Sequence, residues 1–276
     1  MHYVDEGPRD APVVVMCHGN PTWSFAYRKL IAALSPSYRV IVPDHVGCGL
    51  SDKPQDYTYT LDRHIRNLEA LIVHLGLEHI SLVLHDWGGG IGMGYATRHA
   101  TTVDGFVIFN TSAFYLPAVP LVLKLARSPG FGEVLLRGLN AFAGIAIWRW
   151  ICRWRPMSRA ARAGYLAPYD SWANRVAIYR FVQDIPLAAD HPTRATVDGI
   201  DAKLHRFRDH PMLIIWGAKD FVFTVRSFLA GWRSRFPDAD VHVLPDAGHY
   251  VVEDAPGEIL ALVEPFLAET KLTAHS

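Results

Sequence analysis

Short runs rich in β-branched residues recur along the chain with helix-like stretches between them, and this alternation narrows the choice of fold most. The runs are Val13–Met16, Arg39–Val42, Ile80–Leu84, Phe106–Phe109, Met212–Ile215 and Val241–Leu244. They are apolar on consecutive residues rather than on alternate ones. A strand of that kind is buried on both faces, as in a parallel sheet. Ser24–Leu34, Leu61–Leu75, Gly89–His99 and Pro256–Ala268 read as the covering helices. The expected class is therefore α/β, a mostly parallel sheet with helices on both faces. Met1–Val4 reads as one further strand, closed by a turn at Gly7, Pro8 and Pro12.

The alternation stops between Ala113 and Arg208, where the pattern is helical and aromatic with no convincing strand. This predicts a helical cap, 113–208, inserted into a core made of 1–112 and 209–276. The first half of the insertion is lopsided in charge. Ala113–Ala163 holds eight basic residues (Lys124, Arg127, Arg137, Arg149, Arg153, Arg155, Arg159 and Arg162) against one acid, Glu133, with Trp148, Trp150 and Trp154 interleaved. Such a stretch is either a solvated face of snorkelling arginines or a surface for a membrane, an anionic acyl carrier or a partner enzyme. The whole chain balances 27 basic against 27 acidic residues, which argues against a nucleic-acid partner. No run reaches the length of a membrane span; Ala141–Trp148 is apolar but short. Met1–Gly7 lacks the apolar region of a signal peptide. Cys17, Cys48 and Cys152 form neither a disulfide framework nor a metal spacing, so a cytoplasmic protein is expected. Glu269–Ser276 reads as a frayed tail.

Four motifs carry chemistry. In Ser81-Leu-Val-Leu-His-Asp-Trp-Gly-Gly89 an apolar strand meets a polar residue, then glycines, then a helix. That is the layout of a nucleophile elbow, with Asp86 where a serine often stands. No Gly-x-Ser-x-Gly occurs, which disfavours a serine esterase. A carboxylate there displaces a leaving group from carbon to give an enzyme ester. As a plain helix cap, Asp86 would leave the other motifs unexplained. The glycines from Gly88 to Gly94 have no phosphate-loop register and suit tight helix–sheet packing instead. His18-Gly-Asn-Pro-Thr-Trp-Ser24 follows the second strand. Its Asn20 amide, with the indole N–H of Trp87, makes a candidate two-donor anion clamp. Asp246-Ala-Gly-His-Tyr250 supplies His249 as base, and Trp216-Gly-Ala-Lys-Asp220 supplies Asp220 to orient it, in the chain order nucleophile, acid, histidine. The position after the preceding strand reads Asn110-Thr-Ser, without a carboxylate. His18 and His85 read as loop-holding residues. The chemistry calls for neither metal nor cofactor.

These motifs, in this order, resemble the haloalkane dehalogenase family of the α/β-hydrolase fold, over nearly the whole chain. The resemblance implies that Asp86 is the nucleophile, His249 the base, Asp220 the acid, and Asn20 and Trp87 the anion-binding pair. Leu84 departs from the general elbow pattern, which has glycine there, and the family usually has one more strand before the first. Within the family, His45-Val-Gly-Cys-Gly-Leu-Ser-Asp-Lys-Pro54, Pro168-Tyr-Asp-Ser-Trp-Ala-Asn-Arg175 and Arg180-Phe-Val-Gln-Asp-Ile-Pro186 are similar to the β-lactone decarboxylases of bacterial long-chain olefin biosynthesis. These convert a cis-3,4-dialkyl β-lactone to a cis-alkene and CO2. The likeness implies a hydrophobic substrate with alkyl chains and a large assembly with other olefin-biosynthesis enzymes. The rivals are a true haloalkane dehalogenase, an epoxide hydrolase using Tyr115, Tyr165, Tyr169 or Tyr179, and a silent binding scaffold.

Overall fold

The computed structural model describes residues 1–117, 120–128, 130–145 and 157–274. Seven strands form one sheet: β1 (Tyr3–Glu6), β2 (Val13–Cys17), β3 (Arg39–Pro43), β4 (Ile80–Asp86), β5 (Val103–Thr111), β6 (Met212–Gly217) and β7 (Asp240–Leu244). Their order is β1-β3-β2-β4-β5-β6-β7. β1 runs antiparallel to β3 and every other pair is parallel. The first strand lies two residues later than Met1–Val4, in register from Tyr3 opposite Pro43.

Alternate side chains of each strand enter two cores. Val15, Cys17, Leu82, Leu84, Ile108 and Trp216 face one side with α2 (Leu61–His74) and α3 (Trp87–Ala96). Val14, Met16, Val83, Val107 and Ile215 face the other with α1 (Arg28–Leu34) and the C-terminal helix Pro256–Ala274. Burial on both faces is why β2 to β6 show no polar alternation; β7, expected to be buried as well, lies at the sheet edge with Asp240 and Val243 exposed. Ser24–Tyr27 is a 3₁₀ turn leading into α1 rather than part of it. The C-terminal helix continues through the expected tail to Ala274, anchored by the buried Thr270.

Between β5 and β6 the described residues contain no strand. They hold the helices Leu121–Ala126, Phe131–Glu133, Ala141–Ile145, Arg159–Leu166, Val176–Gln183 and Pro192–Asp201. Pro192–Asp201 packs through Ile200 into the same core as α2 and α3. Arg149, Arg153, Arg155, the three interleaved tryptophans and Cys152 lie outside the described residues. Cys17 and Cys48 are buried free thiols. Among the described residues no helix is long and apolar enough to cross a membrane.

Candidate active site

β4 ends on Asp86, whose backbone takes φ 51° and ψ −125° before α3 begins. A residue other than glycine is strained there, and local packing holds the turn shut. The Thr111 hydroxyl donates to the Asp86 carbonyl. Gly88 lies so close to β2 that a Cβ on it would sit 2.0 Å from the Cys17 carbonyl oxygen. The glycine run is thus a packing device, as its sequence suggested. The turn projects the Asp86 carboxylate toward the loop after β2, where the backbone N–H of Asn20 donates to Oδ1 at 2.7 Å.

His249, from the loop after β7, places Nε2 3.5 Å from Asp86 Oδ2 and Nδ1 2.8 Å from Asp220 Oδ2. All three side chains are buried. Burial opposes charge on His249, but the Asp220 and Asp86 carboxylates outweigh it and push its pKa up to about 10. Burial likewise opposes ionisation of Asp86. The His249 hydrogen bond and charge, with the Asn20 N–H, outweigh it and hold the carboxyl below its ordinary range. Both shifts run the same way, toward a proton on His249 beside an ionised Asp86.

Asp220 is firmly seated. Its Oδ1 accepts from the backbone N–H groups of Val222 and Phe223 at 2.7 and 3.1 Å. Its Oδ2 also accepts from Asn110 Nδ2 at 2.9 Å. Asn110 further bonds both the N–H and the C=O of Gly217. The sequence set Asn110 aside because it is not a carboxylate. The structure makes it the brace of the carboxylate in the loop after the next strand, and its position at the end of β5 was the available signal.

His85 and His18 hold loops, as expected. Burial pushes His85 down to about 4; neutral, it donates from Nε2 to the His249 carbonyl at 2.7 Å. His18 is also lowered to about 4 by burial. Its Nε2 accepts the His45 N–H, and His45 Nε2 donates to the His18 carbonyl. The His45–Pro54 segment therefore braces the Asn20 loop. Two other family-like segments meet the core as well. The Tyr169 hydroxyl donates to the Thr22 carbonyl. Asp184 accepts from the Leu61 N–H at the start of α2 and from the Thr193 hydroxyl.

Asn20, Asp86, Trp87 and His249 all line one cavity of about 330 Å³. Asn20 Nδ2 donates to the Ile178 carbonyl at 3.2 Å, which turns the amide's nitrogen toward that helix. The remaining wall is overwhelmingly apolar, including Leu61, Leu123, Leu136, Val182, Ile200 and Phe228. Of the four tyrosines an epoxide hydrolase would draw on, Tyr115 alone lines this cavity among the described residues. Tyr165 bonds Glu253, and Tyr179 packs beside Leu136 and Val182.

A central parallel sheet, an acidic residue on the sharp turn after β4, and a His–Asp pair from the loops after β7 and β6 define an α/β-hydrolase with aspartate at the elbow. The family model for the alpha/beta hydrolase fold matches residues 12–145. The chain is 49% identical to the cis-3-alkyl-4-alkyloxetan-2-one decarboxylase of Shewanella oneidensis, covering 99% of this chain and 87% of that one. It is 36% identical to haloalkane dehalogenase 2 of Mycobacterium bovis, covering 95% and 90%. A crystal structure of a haloalkane dehalogenase from Bradyrhizobium elkani superposes with a TM-score of 0.87 at 28% identity, covering 98% and 94%. The chain belongs to the haloalkane dehalogenase family of α/β-hydrolases, and its identity to the Shewanella decarboxylase exceeds that to the dehalogenases.

Proposed function

We propose that this protein is a cis-3-alkyl-4-alkyloxetan-2-one decarboxylase, releasing a cis-alkene and CO2 from a β-lactone with two alkyl chains. One observation carries the reading: an ionised, buried Asp86 opens onto an apolar cavity, in a chain 49% identical to an enzyme of that name. The helices of 113–208 serve as the cap over that cavity. Association with the enzymes that make the lactone follows from the same reading.

In the first step a carboxylate oxygen of Asp86 attacks ring carbon C4 from the side opposite the ring oxygen. The new C–O bond forms as the strained C4–O bond breaks, and its electrons pass to the lactone carboxylate. Asn20 and Trp87 donate to that carboxylate. In the second step the C3–carboxylate bond breaks and its electrons form the C3–C4 double bond. CO2 departs, and the C4–Asp86 bond breaks to restore the Asp86 carboxylate. Inversion at C4 followed by anti departure returns the cis geometry. The sequence consumes no water and no redox partner. Attack at the carbonyl carbon would instead give a mixed anhydride and an alkoxide on C4, and the acyl group would have to move to that oxygen before the alkene could form, one step more than direct displacement at C4. His249, held by Asp220, steadies the Asp86 carboxylate as it leaves. An apolar wall keeps water from the ester, so that loss of CO2 outruns hydrolysis.

The same five residues would also suit a haloalkane dehalogenase, with His249 directing water onto the ester. The higher identity to the decarboxylase favours the first reading. The test is product analysis: purified enzyme receives a cis-β-lactone with two long alkyl groups, and the extract is read by proton NMR. A cis-alkene that vanishes with Asp86→Asn is expected. A β-hydroxy acid, or untouched lactone, would refute the proposal, and halide release from a haloalkane panel would then decide for the second reading.

A further inference from the structure

Ten large apolar side chains are exposed among the described residues, and six of them are gathered in one stretch of the chain: Leu121, Leu125, Phe131, Val134, Leu139 and Trp172. They are between 44% and 72% exposed. Leu121 and Leu125 share one side of the helix Leu121–Ala126 at i, i+4 spacing. Gly132 of the next helix abuts the Ala126 carbonyl, and Gly138 sits between Val134 and the Trp172 ring. The six therefore lie on neighbouring pieces of one surface. Apolar patches of this kind mark interaction sites rather than ordinary scatter.

The opposite side of the same segments walls the cavity. Leu123, Ala126, Leu135, Leu136 and Phe142 line it, alternating along the chain with the exposed leucines and Val134. A single helical layer separates the cavity from the patch. The charge of this stretch is one-sided. Among the described residues between 113 and 180 seven are basic and only two, Glu133 and Asp170, are acidic. Glu133 is already paired with Arg137, whose guanidinium lies over the Trp172 ring at 4.8 Å. Lys124 is exposed on the same helix as Leu121 and Leu125.

We propose that this face, the outer side of residues 121–139 with Trp172, rests on an anionic phospholipid bilayer. Exposed apolar side chains beside the exposed Lys124, with Glu133 paired to Arg137, have the composition of a surface that sinks into the headgroup region. The basic excess complements anionic headgroups. Placed so, the cavity lies one helix away from the acyl chains, into which a dialkyl substrate or an alkene product partitions. That last step rests on the decarboxylase reading; the surface itself does not.

The experiment is flotation of the purified full chain with phosphatidylglycerol vesicles and, separately, phosphatidylcholine vesicles, in low and high salt. Wild type is expected to float with phosphatidylglycerol, to do so less in high salt, and to float poorly with phosphatidylcholine. The combined variant Leu121→Ser, Leu125→Ser, Phe131→Ser and Leu139→Ser is expected to lose about tenfold or more of the binding. Lys124→Glu alone is expected to weaken it, while both variants keep wild-type turnover of a short-chain lactone in solution. Absence of flotation by wild type overturns the proposal, as does binding that the fourfold variant retains. Wild-type self-association that the variant abolishes, without vesicle binding, overturns it too and assigns the face to a second copy. Flotation is read without turnover, so it stands or falls separately from the product analysis.

Discussion

Asp86 is held at positive φ at a cost of order 1–3 kcal/mol for a residue with a side chain, and every neighbour that closes the turn also aims the carboxylate. The donors around it set the expected losses. Asn20→Ala and Trp87→Phe should each lower turnover by the order of 10²-fold, as for a removed oxyanion donor. Steady-state kinetics on the lactone checks this, and unchanged rates in both would discard the anion clamp. The pH response belongs to the same residues. His249 moves from an ordinary 6.5 to about 10 in the fold. A raised folded value means that its stabilisation is fully present below pH 6.5 and is lost as pH rises through 10. Thermal melts should therefore fall across that window. Asp86→Asn removes one of the two carboxylates facing the ring, so the loss should begin at lower pH; a variant melting in parallel with wild type would contradict the charge triad. The elbow, the histidine and the choice of Asp220 were readable because each follows a β-branched run at a fixed place in the chain order. Asn110 was not, because a brace declares itself only through what it touches 107 and 110 residues further on.

At the scale of elements, the tight spot is the contact of α3 with β2. Gly88→Ala would set a methyl 2.0 Å from the Cys17 carbonyl oxygen, which is backbone and cannot swing aside. A destabilisation of about 1–3 kcal/mol or more is expected, measured by urea unfolding; a neutral effect would mean that α3 is free to shift. Helix centres were legible from periodicity, and so were some ends, such as Leu34, Leu61 and Pro256, while others shifted. α1 begins as a 3₁₀ turn at Ser24, and α3 stops at Ala96 rather than His99. The C-terminal helix outlasts its expected end because Thr270 packs against the sheet beside Gly105. The elements between β5 and β6 were readable as helical, but not as a surface that turns one side to the cavity and the other outward.

At the scale of the molecule, the cavity joins the reacting carboxylate to walls that come from both the sheet loops and the inserted helices. Leu136 is buried at that wall. Leu136→Trp should fill part of the roughly 330 Å³ and shift preference toward shorter alkyl chains. A fall in kcat/KM of about 10-fold or more is expected for long-chain lactone, with short-chain lactone spared; an equal loss for both would mean that Leu136 acts through the fold instead. The amino-acid order alone determined the α/β class, the aspartate elbow and the expectation that Asp86, His249 and Asp220 act together. Those depend on local periodicity and on the few residue types able to do the chemistry. The shared cavity, the Asn110 brace, the shifted proton affinities and the apolar outer face were decided only in three dimensions, because burial and charge coupling arise from contacts between residues far apart in the chain.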